Sequence, residues 1–285
     1  MSGIFEFNPT VSQLSILNAL RLVEASELAY KTSVEVEKFI KTEWGFDKFQ
    51  WFENPKEGTQ AFLAGNKDIV ILIFRGTDSI MDWTTNIKIK LVPSPSNIGK
   101  VHFGFNKALD SVWDELSATI VQWDVSNRFW VSGHSLGGAL ATLAVDRFID
   151  NGVLVQGMYT FGQPMVGNKD FKDNFDSKMD GRSFRFVDDE DIVPKIITTL
   201  MGYRHIEKEY FFDNAGKFYT DNLWWHKFSS QSIGVSTRTE NISAGRTENP
   251  GGILDHSPAY YIKHIRNTLN KEKPVKTFRD WIKNI

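Results

Sequence analysis

Between residues 11 and 43 apolar side chains return at mostly helical intervals: Leu14, Leu17, Leu20, Leu22, Leu28, Val34, Val36, Phe39 and Ile40. The series breaks near Lys31-Thr32-Ser33 and so predicts two helices. After them the period changes. Lys48 to Phe52 and Gln60 to Ala64 read as strands, with Asn54-Pro55 and Gly65-Asn66 as turns. Ile69 to Phe74, IVILIF, is apolar without interruption, the pattern of a central strand covered on both faces.

Strands and helices alternate from there. A Pro- and Ser-rich stretch, LVPSPSNIG, precedes a helix predicted from Phe105 to Gln122 and a strand from Phe129 to Ser132. The run after Ser135, LGGALATLAVDRFID, is apolar nearly all round, as a helix sandwiched between a sheet and other elements must be. Further strands are predicted at Leu154 to Phe161, Ser183 to Val187 and Arg204 to Phe212, and a final helix from about Pro258. Residues 213 to 252 are polar and contain glycine, which predicts a loop-rich insertion with extended segments or short hairpins. The pattern is α/β throughout and is expected to form one domain over residues 1–285.

Composition narrows the function more by exclusion than by suggestion. The chain has 33 basic and 35 acidic side chains, a formal charge of -2, so neither a nucleic-acid surface nor a polybasic membrane patch is indicated. It contains no cysteine, which removes disulfides, thiolate chemistry and cysteine-ligated zinc. The first ten residues, MSGIFEFNPT, have no basic start and no long apolar run, and no later stretch has the length of a membrane span. A cytoplasmic location is the expectation, although leaderless secretion or a trimmed signal would leave the same sequence.

The chemistry centres on RFWVSGHSLGGALAT, residues 128 to 142, where a strand-like run turns into a helix-like one at a serine between two glycines. A serine hydroxyl attacks a carbonyl only if a base takes its proton and if it projects from the backbone. A sharp strand-to-helix turn provides the projection. It brings the helix close to the incoming strand, so small residues are needed two positions away on each side, here Gly133 and Gly137. The same helix start aims free N–H groups at the place where an oxyanion would form, making the Leu136 N–H a candidate donor. Such an elbow calls for a downstream acid and then a histidine. Asp188, Asp189 and Asp191 all follow the strand SFRFV. Asp191 is preferred because Ile192-Val193-Pro194 can hold it at the sheet's edge, whereas its neighbours read as solvated turn residues. Of the later histidines, His256 is preferred, because Ser257-Pro258 reads as the cap and first residue of a helix that anchors its loop. His205 is expected on a strand face and His264 on a helix, and His134, beside the serine, reads as a packing and hydrogen-bonding residue. A second oxyanion donor is expected from the loop after IVILIF, where Thr77 follows Arg75-Gly76.

FRGTDSIMDW, VHFGF, VSGHSLGGALATLA, TFGQPMVGN, FRFVDDEDIVPKI, YRH and DHSPAYY occur in that order over roughly residues 60 to 266, and with them the chain resembles the class 3, fungal-type triacylglycerol lipase family of the α/β-hydrolases. The resemblance implies an α/β-hydrolase fold, a central mostly parallel sheet flanked by helices, with a short helical lid. It implies Ser135 as nucleophile, Asp191 as acid, His256 as base and Thr77 with Leu136 as oxyanion donors. The implied activity is hydrolysis of carboxylic esters of lipids through an acyl-enzyme, with no cofactor and no metal. Residues 79 to 92, directly after the oxyanion loop, place Ile80, Trp83 and Ile87 on one face of a short helix, a lid candidate suited to transient contact with a lipid interface. Two alternatives keep the same fold: a polar-ester hydrolase of feruloyl-esterase type, and a non-catalytic lipid-binding or signalling module.

Overall fold

Period-two alternation decides how the central strands divide their side chains, and the two faces they create become two separate cores. The computed structural model describes residues 5–77, 89–125, 128–197, 199–220 and 256–272. In chain order the elements are α1 (Ile16–Leu28), α2 (Ser33–Phe39), β1 (Lys48–Asn54), β2 (Thr59–Gly65), β3 (Val70–Phe74), β4 (Leu91–Pro93) and β5 (Lys100–His102). There follow α3 (Phe103–Trp123), β6 (Phe129–His134), α4 (Leu136–Asp150), β7 (Gly157–Phe161), α5 (Lys169–Met179) and β8 (Ser183–Asp188). The short α6 (Val193–Ile196), β9 (Glu209–Phe212), β10 (Phe218–Tyr219) and α7 (Pro258–Glu272) complete the set.

Eight strands form one sheet in the order β1-β2-β3-β6-β7-β8-β9-β10. The run from β3 through β6, β7 and β8 to β9 is parallel, while β1, β2 and β10 join antiparallel. On β3, Val70, Leu72 and Phe74 enter the core shared with α3, α4 and α5, and Ile71 and Ile73 enter the core shared with α1 and α7. On β6, Phe129 and Val131 take the first side and Trp130 the second. All five residues of β3 are buried, which explains why the strand carries no polar residue.

The predicted break between the first two helices is made by Thr32. Its hydroxyl accepts from the Glu35 N–H, and the Glu35 carboxylate accepts from the Thr32 N–H at 3.0 Å, a reciprocal cap that starts α2. Every residue of α4 from Gly137 to Phe148 is buried, as its all-round apolar sequence requires.

Four expectations differ from the fold. The polar helix α5 is absent from the predicted elements because only Phe171, Phe175 and Met179 face its core. The stretch LVPSPSNIG is not a plain loop: Leu91–Pro93 pairs with Lys100–His102 as a small hairpin. Leu91 and Val92, the last residues of the lid candidate, therefore belong to a strand. The strand predicted from Arg204 to Phe212 starts only at Glu209, Arg204 making a single bridge to Gly167, so His205 sits in a loop and its Nε2 bonds to the Pro194 carbonyl at 2.9 Å. Of the insertion expected at 213 to 252, the part up to 220 contains β10, hairpin-paired to β9, and residues 221–252 lie outside the described residues.

Two outcomes test this packing. A Cβ on Gly137 would strike the Phe74 carbonyl oxygen and lie 2.8 Å from Phe74 C and 2.9 Å from Arg75 C, all main chain that cannot step aside. Gly137→Ala gains about 1 kcal/mol of helix propensity. Overpacking of this kind costs about 1–3 kcal/mol or more, so a lower urea midpoint at unchanged slope is expected. Glu207 lies half-buried, with burial and the Asp176 charge pushing its carboxyl up to about 7. Between the usual carboxylate range and about 7 the folded chain therefore binds more protons than the unfolded one, and stability falls as pH rises through that window. Relative to the parent, Glu207→Gln should raise the midpoint above pH 7 and give no such gain near pH 4.

Candidate active site

The parallel strands all end on one edge of the sheet, and the loops leaving β3, β6, β7 and β8 converge there. Ser135 is the residue between β6 and α4. Its φ of 59° and ψ of -129° lie in the left-handed region that side chains avoid, a conformation costing about 1–3 kcal/mol and maintained here by surrounding contacts. The Ser135 N–H donates to the Phe161 carbonyl at 2.9 Å, and its own carbonyl accepts from Gly138 N–H at 2.9 Å. A Cβ on Gly133 would strike the Gly137 main chain, so both glycines are required by the approach of α4 to β6 and β3. The N–H groups of Leu136 and Gly137 open the helix and have no acceptor within it. The β3 loop lies against them: a Cβ on Gly76 would come within 3.1 Å of Ser135 Cβ, and Thr77 follows directly.

Asp191 is fully buried and its carboxylate is held by three donors. His256 Nδ1 lies 2.8 Å from both oxygens, Tyr261 donates its hydroxyl to Oδ2 at 2.6 Å, and the Val193 N–H donates to Oδ1 at 2.9 Å. The last bond is the local one expected of an aspartate two residues before a turn, and it starts α6, with Pro194 in its first turn. Held by these three donors, the carboxylate fixes the His256 ring with its Nδ1 as the donor. Burial, reinforced by the charges of Asp191 and Asp188, pushes the Tyr261 phenol well above its ordinary value, so it remains a donor. Ser257 Oγ accepts from Ala259 N–H at 3.3 Å at the start of α7, anchoring the His256 loop as the sequence suggests.

Ser135 Oγ and His256 Nε2 are buried, and neither has a hydrogen-bond partner among the described residues. An elbow hydroxyl, an imidazole backed by a carboxylate and a helix start can together activate the hydroxyl and stabilise an oxyanion.

Ser135, Leu136, Asp191, His256 and Thr77 are thus brought to one edge of the sheet. Ile80, Trp83 and Ile87 lie outside the described residues. Asp188 is not solvated as expected: it is buried at the end of β8, with Oδ2 2.9 Å from His264 Nδ1 on α7. His264 is on a helix as predicted. Sequence reasoning gives Tyr261 no role; the available signal is that a tyrosine buried in a helix needs a partner for its hydroxyl. It also passes over Gly162, whose φ of +60° and position beneath the Asp191–His256 couple leave no room for a side chain.

Known proteins resemble this chain in sequence and in fold. The family described as Lipase (class 3) matches residues 71–201. The Secreted mono- and diacylglycerol lipase 1 of Fusarium solani is 35% identical over 168 residues, 56% of this chain and 49% of that protein. The Lipase of Rhizomucor miehei is 34% identical over 168 residues, 55% of this chain and 46% of that protein. The chain thus spans about half the length of these curated relatives. The solved Rhizomucor miehei triacylglyceride lipase superposes with a TM-score of 0.62 at 28% identity, over 71% of this chain and 82% of that one. The fold is accordingly that of an α/β-hydrolase, a mostly parallel sheet flanked by helices. Among the described residues no helix is long and apolar enough to cross a membrane.

The close packing under the couple is open to test. A Cβ on Gly162 would lie 2.6 Å from Asp191 Oδ2 and 2.9 Å from His256 Nδ1, and the backbone there is left-handed. Gly162→Ala should displace the couple, and misplacement on the scale of 1 Å costs about a hundredfold in rate. Fluorophosphonate labelling of Ser135, followed over time, measures it.

Proposed function

We propose that this chain, a member of the class 3 lipase family, hydrolyses carboxylic esters of lipids through an acyl-enzyme. The observation that carries the reading is the combination at one sheet edge of a strained, buried Ser135 and a buried His256 backed by Asp191, with Ser135 Oγ and His256 Nε2 both left without partners among the described residues. One solved relative, 28% identical with a TM-score of 0.60, is described as a triacylglycerol lipase whose catalytic centre is formed by a serine protease triad.

In this mechanism Ser135 Oγ attacks the ester carbonyl carbon as His256 Nε2 takes its proton, and the carbonyl oxygen becomes an oxyanion. The Leu136 N–H and the Thr77 N–H, from the first turn of α4 and the β3 loop, stabilise it. The imidazolium is supported by Asp191, to which Nδ1 donates, and passes its proton to the leaving alcohol as the C–O bond breaks. Water, deprotonated by His256, then attacks the acyl carbon, and Ser135 recovers its proton as the acid departs. Besides substrate and water every group is this protein's own, and at the end of each half-reaction His256 has passed on the proton it took, first to the alcohol and then to Ser135.

Residues 79–92 follow the oxyanion loop at once, and within them we assign Ile80, Trp83 and Ile87 to the apolar face of a lid. Support comes from the spacing of these residues and from a solved fungal lipase–inhibitor complex, 27% identical with a TM-score of 0.62, that is described as a model for interfacial activation in lipases. The Fusarium solani and Malassezia restricta relatives are both named as secreted lipases, which favours work outside the cell over the cytoplasmic setting expected from sequence. The described residues and the rest of the chain are read as one catalytic domain.

Ser135→Ala should abolish both fluorophosphonate labelling and ester turnover, a loss of about 10⁶-fold in kcat for a nucleophile acting as a unit with its base, with the unfolding midpoint close to that of the parent. Assays on mono-, di- and triacylglycerols, phosphatidylcholine and a feruloyl ester then define the substrate class. Turnover confined to the feruloyl ester would replace the lipid reading by the polar-ester one, and absence of labelling in the parent would leave the non-catalytic module.

A further inference from the structure

His134 stands beside the nucleophile, yet the acyl-transfer mechanism gives it no proton to move. It is buried, and its ring lies 4.4 Å from that of His256, tilted by 38°. Its Nε2 is 2.5 Å from the main-chain carbonyl oxygen of His256, and its Nδ1 is 2.9 Å from the Tyr30 hydroxyl. A carbonyl only accepts, so Nε2 carries the hydrogen and donates it. In the neutral ring Nδ1 must then be the acceptor, and Tyr30 donates to it. Burial, with the neighbouring His256, also pushes His134 well below the ordinary histidine range, which agrees with a neutral ring.

Tyr30 is placed for more than this bond. It follows the end of α1, which is fastened to β6 by Ser26: the Ser26 hydroxyl donates to the Leu22 carbonyl at 2.8 Å and so accepts from Ser132 at 3.3 Å. The Arg75 guanidinium lies over the Tyr30 ring at 5.4 Å, and a Cβ on Gly76 would strike the Tyr30 hydroxyl. The phenol therefore touches the start of the oxyanion loop and, through His134, the main chain of the base.

We propose that Tyr30 and His134 are positioning residues that set the base from its backbone side. This rests on the acyl-enzyme reading. Asp191 fixes the rotation of the His256 ring; the His134 N–H fixes the carbonyl, and with it the direction in which Cα–Cβ leaves the chain. Tyr30 fixes the tautomer in which His134 can do so. Without the Nε2–H, two lone pairs would face one another across 2.5 Å. Helix α1 thereby takes part in aligning a base that stands just before α7.

The experiment compares the parent, Tyr30→Phe, His134→Phe and His134→Gln. Gln reaches the His256 carbonyl with its amide N–H; Phe fills similar space without a donor. His134→Phe should lower kcat about a hundredfold and Tyr30→Phe about tenfold, as expected for a displaced but present base. KM should stay within about twofold, each folded chain should still titrate one fluorophosphonate, and the labelling rate should fall in step with kcat. His134→Gln should recover at least tenfold over His134→Phe. Nitrogen-15 spectra of the parent's histidines should show His134 as the neutral Nε2–H tautomer. The proposal is overturned if Gln is no better than Phe, if activity falls only in proportion to titratable sites, if Tyr30→Phe keeps the parent's kcat, or if His134 is an imidazolium or carries its proton on Nδ1. Tyr30→Phe decides the matter should the His134 variants not fold. A parent that neither labels nor turns over esters would refute the acyl-enzyme reading instead, while the nitrogen-15 spectra would still report the tautomer.

Discussion

The first turn of α4 touches the ends of β3 and β6 main chain to main chain, with Gly133 and Gly137 as the only separation at that point. That contact sets the rest of the site. It leaves Ser135 a left-handed backbone, which lifts its side chain off the strand line, and it brings the unpaired N–H groups of a helix start next to the hydroxyl. It also presses α4 against the end of β3, with Gly76 packed against Ser135 and Thr77 next in the chain. The local strain of about 1–3 kcal/mol is small beside the burial of twelve consecutive residues of α4, Gly137 to Phe148, several of them worth about 1.5–3 kcal/mol each.

Around this contact the charge is arranged by subtraction of water. Asp191 and His256 are fully buried, so their interaction is not shared with solvent, and the cost of burying the carboxylate is offset by donors from three different places: α7, the α6 turn and the histidine itself. Asp188 nearby is also buried but faces His264. Two carboxylates three positions apart are thus kept from competing for one histidine, because the turn between them points them to different partners. The distinction between Asp188 and Asp191 is made by the Val193 N–H and the Tyr261 hydroxyl, groups that prefer the second carboxylate.

Much of this is legible in the sequence, and for an identifiable reason. The elbow is encoded by contiguous residues whose small size and apolar flanks answer a local steric demand, and the all-apolar β3 and α4 answer burial on both faces. Asp191 is legible from Ile192-Val193-Pro194 and His256 from Ser257-Pro258, again local signals. What is not legible depends on residues far apart in the chain. The burial of Asp188 requires His264, 76 positions later, and the role of Tyr261 requires the packing of α7 over the end of β8. Helix α5 escapes notice because a polar surface helix shows three core residues in eleven, too few for a periodic signal. His134 reads as a hydrogen-bonding residue, but its partners, Tyr30 and the His256 carbonyl, lie 104 and 122 positions away.

The packing of α1 against α7, clipped by the Glu24–Arg266 pair at 2.8 Å, gives the order of synthesis a consequence. A nascent chain that has emerged as far as β9 already holds the elbow, Ser135 and Asp191, yet it lacks His256, the tyrosine that bonds Asp191 and the helix that packs against α1. A chain at that stage already has α1 on its sheet, with the flank that α7 meets still open, and docking of α7 there also brings His256 and Tyr261 to Asp191. On the proposed mechanism an incomplete translation product lacks its base while α1 still exposes the apolar surface that α7 would cover, a coupling of assembly to chemistry that arises from where two helices meet.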